Sequence, residues 1–489
     1  MAGPLRRRAS DLVASVRDVS PWRAAAIALG VLWATWATAY TVTVHRGIGT
    51  SAYDFGLYDQ GVWLLSRGRE PFVTLMGRNL FGDHTSFILL PLVPLYWLGA
   101  GTGVLFVVQS LALALGAWPT WSAARRMGAD EPLALVAVVA YLFHPALSWT
   151  ALENFHPDSF LAPLIALAVW SALSTRWGWF VAAVIGILAT KEDAALVVAG
   201  LGVWVALRID RRRGIVTAVV SVWVMALLLW AVMPAINGVP FRNEWRLPFG
   251  GWSGLFTTAL TRPHELVAHL VSGERPLYVL QVLVPVGFVA LLRPGIAAIA
   301  AAPLGVNLLS TFWYQSQIEY HYSVQLVPLV ALGAVWSITR VDPRRRRALA
   351  VLVATCASVS AWVWSPLPGM RIDAPAYSAD SPPAVAAREV VRQVPSDAVV
   401  SAWHGLTAHL ARRERVYLFP VPFERLLYGM DPFARGDRLD FVDDVTHVVL
   451  PLELDDELAA VWERERTAFE IVFGNEWWAL YERRFVNGG

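Results

Sequence analysis

"TSFILLPLVPLYWL", residues Thr85 to Leu98, decides how the rest of the chain is threaded. The run is apolar, yet it is only about fourteen residues long and holds Pro91 and Pro94. A helix crossing the roughly 30 Å hydrocarbon core of a bilayer needs about twenty residues. The segment therefore reads as a helix or re-entrant piece that stays on one side. Around it, eleven apolar runs long enough or nearly long enough to span recur from Ala24–Val44 to Ala348–Trp364. If residues 85–98 do not cross, Arg6-Arg7-Arg8, Arg125-Arg126, Arg208 with Arg211-Arg212-Arg213, and Arg344 to Arg347 all fall on one face. The bias of Lys and Arg toward cytoplasmic loops makes that face the inner one. If the segment crosses, the clusters split between the two faces.

Composition agrees with a membrane location. The 489 residues are 56% hydrophobic and 16% charged, with mean hydropathy +0.48, too apolar for a soluble chain of this size. A net charge of +2 leaves no electrostatic footprint for nucleic acid. The single cysteine, Cys356, excludes an intrachain disulfide and a cysteine-rich metal cluster. Ala24–Val44 is too long for a signal-peptide core and reads as a retained anchor.

The expected architecture is an α-helical polytopic membrane protein with about eleven transmembrane helices. It has a basic cytoplasmic N-terminus (1–23), a transmembrane domain (24–365) and a soluble α/β domain (366–489) on the outer side. The outer loops include a long first one (45–101) and another at 237–276. "SPLPGM" and "APAYSADSPP" read as the linker into the last domain. That domain alternates a helical pattern (383–393) with strand-like runs at 398–402, 416–419, 445–450 and 469–473.

On this threading, the unusual polar residues gather outside. The first loop contributes "TSAYDFGLYDQGVW" with Asp54 and Asp59, and "GDHTS" with Asp83 and His84. "ENFHPDSF" adds Glu153, His156 and Asp158; "TKEDAA" adds Lys191, Glu192 and Asp193; "YQSQIEYHYS" adds Glu319 and His321. Ionisable groups at a membrane boundary are costly unless partnered, which makes them functional candidates. Each also has a plainer reading, as a cap, a turn residue or a structural ion pair. Asp54 and Asp59 lie about 140° apart on a helix, so one of them at most faces a shared site. The Asp, His and Glu groups would suit a divalent cation, magnesium or manganese, with Asp83, His84, Glu153, His156 and Asp158 as candidate ligands, although no fixed ligand spacing marks them. Lys191 is the only lysine, a compact charge suited to a phosphate or to an ion pair. Arg242, Arg246 and Arg262, mixed with Trp245 and Trp252, suit lipid phosphate or the headgroup region. His144 reads as a core histidine.

The ordered set "YDFGLYDQGVW", "GDHTSFILLPLVPLYWL", "FHPDSF", "TKEDAAL" and "TAHLARRERVYLFP" resembles the DUF2079 family of bacterial membrane proteins, over most of the chain. More remotely, the architecture is similar to the GT-C superfamily of membrane glycosyltransferases. The resemblance implies a bacterial plasma-membrane enzyme moving a sugar from a polyprenyl-phosphate donor to a cell-envelope acceptor, inverting the anomeric centre. It implies an acid of the first loop, Asp54 or Asp59, as general base. Tyr53 and Tyr58 would line the lipid and sugar, and Lys191, Arg242 or a bound cation would neutralise the leaving phosphate. Glu192, Asp193, Glu319 and His321 would complete the substrate site. The chain lacks the adjacent acidic pair found in the first loop of many GT-C enzymes. A transporter of lipid-linked saccharides and a non-catalytic envelope scaffold are the alternative readings.

Overall fold

Apolar helical segments pack into a bundle, a pattern set by hydropathy and, for several of them, by a side-chain cap at the start. The computed structural model describes residues 19–239, 242–431 and 433–484. Most of the expected basic N-terminus, with Arg6-Arg7-Arg8, lies outside the described residues. Among the described residues five helices are long and apolar enough to cross a membrane: Pro21–Arg46, Val104–Arg126, Arg211–Asn237, His321–Ile338 and Pro343–Trp364. Glu131–Leu142 and Pro145–Leu152 form a sixth span bent by 44°. The break falls at Pro145, whose ring cannot continue the preceding helix. The His144 Nδ1 accepts the Ala146 N–H there, and its Nε2 lies 3.2 Å from the Val282 carbonyl. His144 is thus a satisfied core residue. Shorter apolar helices such as Trp177–Leu188 reach only about 18 Å at 1.5 Å per residue and depend on their neighbours to complete the slab. The expected span at 277–292 is broken after Arg275–Leu283, where Gly287 and Phe288 both take positive φ. Glycine governs one close approach. A Cβ on Gly214 would stand 2.1 Å from the Ala206 nitrogen, so only glycine lets Ala195–Arg208 and Arg211–Leu227 pack backbone to backbone.

One end of the bundle is basic. Arg23, Arg125, Arg126 and Trp170 share a single cleft, and Arg176 lies over the Trp170 ring. Arg213 covers Trp177, and the Arg293 N–H bonds Ser337 three residues from Arg340. The helices leaving this end are capped by aspartate side chains: Asp130, Asp210 and Asp342. The segment at 85–98 belongs wholly to the opposite end. It forms a 3-10 turn, Phe87–Leu92, and a helical turn, Val93–Trp97. The Ile88 N–H bonds the Ala189 carbonyl, just before Lys191, and Arg412 of the last domain bonds the Ala100 carbonyl. Contacts near both of its ends are therefore made with elements gathered at that face.

At that face sits the C-terminal α/β unit. A small hairpin, β1 (Phe72–Val73) and β2 (Arg78–Asn79), belongs to the first loop. The terminal sheet contains β3 (Val400–Ala402), β4 (Val416–Leu418), β5 (His447–Pro451), β6 (Phe469–Gly474) and β7 (Trp478–Arg483), in the order β4-β3-β5-β7-β6. β3 runs parallel to β4 and β5, while β7 is antiparallel to β5 and β6. Helix Pro382–Gln393 buries Ala387 and Val390 in one core with Phe55, Leu57, Tyr58 and Val62 of the first loop. The linker is packed as well, since the Tyr40 hydroxyl donates to the Pro375 carbonyl. The first loop and the last domain therefore fold as one body.

Candidate functional site

Three spans enter the bundle from this face through short 3-10 turns: Pro157–Phe160, Glu192–Ala194 and His321–Leu326. Each follows a residue in extended conformation, His156, Lys191 and Tyr320, whose side chain caps nothing. The free N–H groups and positive dipole ends of these turns favour negative charge, which helps explain why carboxylates gather beside them.

Asp54 lies in a single π-type turn, Ala52–Gly56, started by a Ser51 side chain that accepts the Tyr53 N–H. Its carboxylate is 39% exposed and stands 3.5 Å from Nε2 of the buried His156. His156 is fixed by Gln109, whose side-chain oxygen accepts the His156 N–H at 2.9 Å while its amide reaches the Asn154 carbonyl. The ring stacks on His321 at 3.8 Å. His321 in turn meets Glu153 twice, through its N–H at 2.5 Å and its Nδ1 at 3.1 Å. One ligand atom each of Glu153, His156 and His321 lies within 4.8 Å of the others, and Nδ1 of His156 is buried with no partner. Burial pushes the Glu153 carboxyl up to about 8, reinforced by Asp54 and Asp158 against the pull of His156. Burial alone would lower His156, but Glu153, Asp54 and Asp158 outweigh it and raise the imidazole to about 9.

Lys191 continues the cluster. It is 4% exposed, lies 3.5 Å from Asp158 and sits 4.9 Å from the centre of the Tyr322 ring. Burial opposes its charge, but Asp158 and Asp193 hold it above the ordinary lysine range. Glu192 turns to His84, 2.8 Å away, and accepts the Thr85 N–H. Burial would raise Glu192, yet His84 and Lys191 hold it down to about 2. Burial likewise raises Asp193, with Lys191 opposing and Glu192 adding to the rise.

The expected metal set divides four ways. Asp83 pairs with Arg78 at 2.7 Å, His84 with Glu192, and Asp158 with Lys191. Glu153 and His156 remain together, and His321 joins them from the substrate set. Asp59 also stands apart, fully buried, held by Arg412 at 3.0 Å and by the Tyr96 hydroxyl at 2.6 Å. The Tyr53 hydroxyl donates to the Leu427 carbonyl of the last domain. Tyr58 stays near the cluster, edge-on to His156 at 6.2 Å. Glu319 lies at the periphery, raised first by burial and then by Glu274. The Arg242 side chain lies outside the described residues, but Arg246 is present. It covers Phe312 at 4.5 Å, its charge reaches Tyr322, and its Nε is buried without a partner. Tyr322 and Gln109 carried no separate signal in the sequence, because their roles depend on partners far along the chain.

A family model described as a predicted membrane protein (DUF2079) matches residues 44–443. The fold is similar to that of ArnT from Cupriavidus metallidurans, which is of the GT-C type. Against its apo crystal structure the TM-score is 0.53 at 13% identity, covering 92% of this chain and 98% of that one. Against ArnT bound to undecaprenyl phosphate the TM-score is 0.51 at 13% identity, covering 95% and 99%. No curated protein sequence matches the chain.

Proposed function

The chain belongs to the DUF2079 family of predicted membrane proteins, and from that premise we propose that it is a membrane glycosyltransferase. It would move a sugar from a polyprenyl-phosphate donor to a cell-envelope acceptor at the outer face. The observation that carries this reading is the meeting of Asp54, Glu153, His156, Asp158, Lys191 and His321 at one end of a GT-C-like bundle. That end lies opposite the arginine clusters, and the charge bias of membrane loops supports reading it as the outer face. Support for the lipid comes from the similar ArnT, which binds undecaprenyl phosphate.

In this mechanism Asp54 is the base. Among the first-loop aspartates Asp54, Asp59 and Asp83 it is the one neither fully buried nor held by arginine, and His156 lies beside it. As the acceptor oxygen bonds to the anomeric carbon, its proton passes to Asp54. The bond from that carbon to the phosphate oxygen breaks, and the phosphate leaves with the electron pair. A single displacement of this kind inverts the centre. The charge on the departing phosphate falls to Arg246, whose Nε has no protein partner, with Lys191 behind it. Glu153, His156 and His321 fit a divalent cation, and two imidazoles with one carboxylate suit manganese or zinc better than magnesium. Such an ion supplies Lewis-acid stabilisation of phosphate charge. The decisive experiment incubates protein in lipid with a panel of polyprenyl-phosphate sugars. Turnover of a donor that disappears in folded Asp54→Asn supports the assignment, whereas no turnover, or turnover indifferent to Asp54, refutes it.

A further inference from the structure

A second concave feature lies outside the cluster. It is a cleft of about 600 Å³ between the end of the first span and the C-terminal domain, open to solvent. Gly47 and Ile48 form its membrane side, and Trp403, Trp477 and Trp478 line the domain side with Glu453 and Glu476. Two of the tryptophans are fixed. The Trp478 indole donates to the Pro383 carbonyl, and its ring stands 5.4 Å from that of Trp403. Trp477 is 44% exposed, and its backbone is set by an N–H bond to the Asn475 side chain. Neither Glu453 nor Glu476 pairs with a cation among the described residues.

Trp403 ties the wall of the cleft to the turn that carries Asp54. The short helix His404–Thr407 follows Trp403 directly and packs on that turn, Ala52–Gly56. A Cβ on Gly405 would stand 2.4 Å from the Trp403 ring and 2.8 Å from Ile48, so glycine lets the cleft wall close on the first span.

An exposed indole, Trp477, beside unpaired carboxylates has a recognisable chemistry. The C–H face of a sugar ring stacks on indole, and its hydroxyls donate to carboxylate oxygens. Two uncompensated acids repel phosphate and carboxylate groups. We infer that this cleft is the acceptor subsite and that it holds an uncharged glycan chain, whose terminal hydroxyl is presented toward Asp54. The inference rests on the transferase reading but is tested separately from it.

The test uses the full-length protein in lipid and reads tryptophan fluorescence on titration with short neutral malto-, manno- and arabino-oligosaccharides, with oligogalacturonate as the charged comparison. At least one neutral series should bind and oligogalacturonate should not. Trp477→Ala should weaken that binding about tenfold, as loss of a stacked aromatic does, and Glu476→Gln should weaken it while relieving the exclusion of oligogalacturonate. Both positions are exposed, so both variants should keep the wild-type unfolding temperature. Absence of binding by every neutral series, or binding unchanged in Trp477→Ala, overturns the inference. Donor turnover without oligosaccharide binding rejects the cleft alone. Oligosaccharide binding without any donor turnover rejects the transferase reading and leaves the cleft as a glycan-binding site.

Discussion

Asp54 and Asp59 show how little separates a reactive carboxylate from a structural one. Asp54 is partly open and touches one imidazole; Asp59 is sealed beneath a guanidinium and a phenol. Asp54→Asn should therefore lower turnover by about 10²- to 10⁴-fold, the usual worth of a general base, without shifting thermal unfolding. Asp59→Asn should act the other way. It leaves Arg412 without its counter-charge and should cost about 3–5 kcal/mol, visible as a lower unfolding temperature in detergent. Glu192 gives the pH dependence. Its folded-state carboxyl is held down to about 2 from an ordinary 4.5, so its contribution is complete above about 4.5 and is lost as pH falls toward 2. The unfolding temperature should fall across that window in the native protein and fall less steeply in Glu192→Gln. The sequence limited Asp54 and Asp59 to different faces of one helix. It could not assign them, because Arg412 is more than three hundred positions away.

Among elements, hydropathy located most of the spans, and two prolines with a length of about fourteen residues led to the expectation that residues 85–98 turn back. Labelling can check this directly in a Cys356→Ser background. Arg67→Cys and Leu98→Cys, on either side of the segment, should react with an impermeant maleimide from the same face, and Arg345→Cys only from the opposite one. Reaction of the first two from different faces would mean that the segment crosses. Besides the short helix His404–Thr407, two longer elements of the C-terminal unit escaped the sequence reading. Helix Asp456–Glu465 buries only Val461 and Trp462, too narrow a stripe to stand out, and β7 is charged at one end and aromatic at the other. β7 nevertheless lies inside the sheet between β5 and β6, since the pairing partners that define a strand are not local in sequence.

Across the whole molecule, the terminal domain is bound to the first loop by a shared apolar core and by polar contacts. Gln60 reaches the Arg413 carbonyl, Thr74 the Val416 carbonyl, and Arg78 the Gly429 carbonyl. Arg412→Ala should loosen this docking, and limited proteolysis in the 368–381 stretch should then proceed faster than in the native protein while the bundle stays intact. Unchanged cleavage would show that the apolar core alone carries the contact.

The Asp59–Arg412 pairing also bears on how such proteins can diverge. The helix that bears Asp59 begins directly after the turn that bears Asp54, so any drift in one partner displaces the other. Chimaeras exchanging residues 366–489 alone between distant relatives should misassemble, whereas exchanging 45–101 in the same step should restore them. Ancestry should have transmitted these two distant stretches as a single heritable unit.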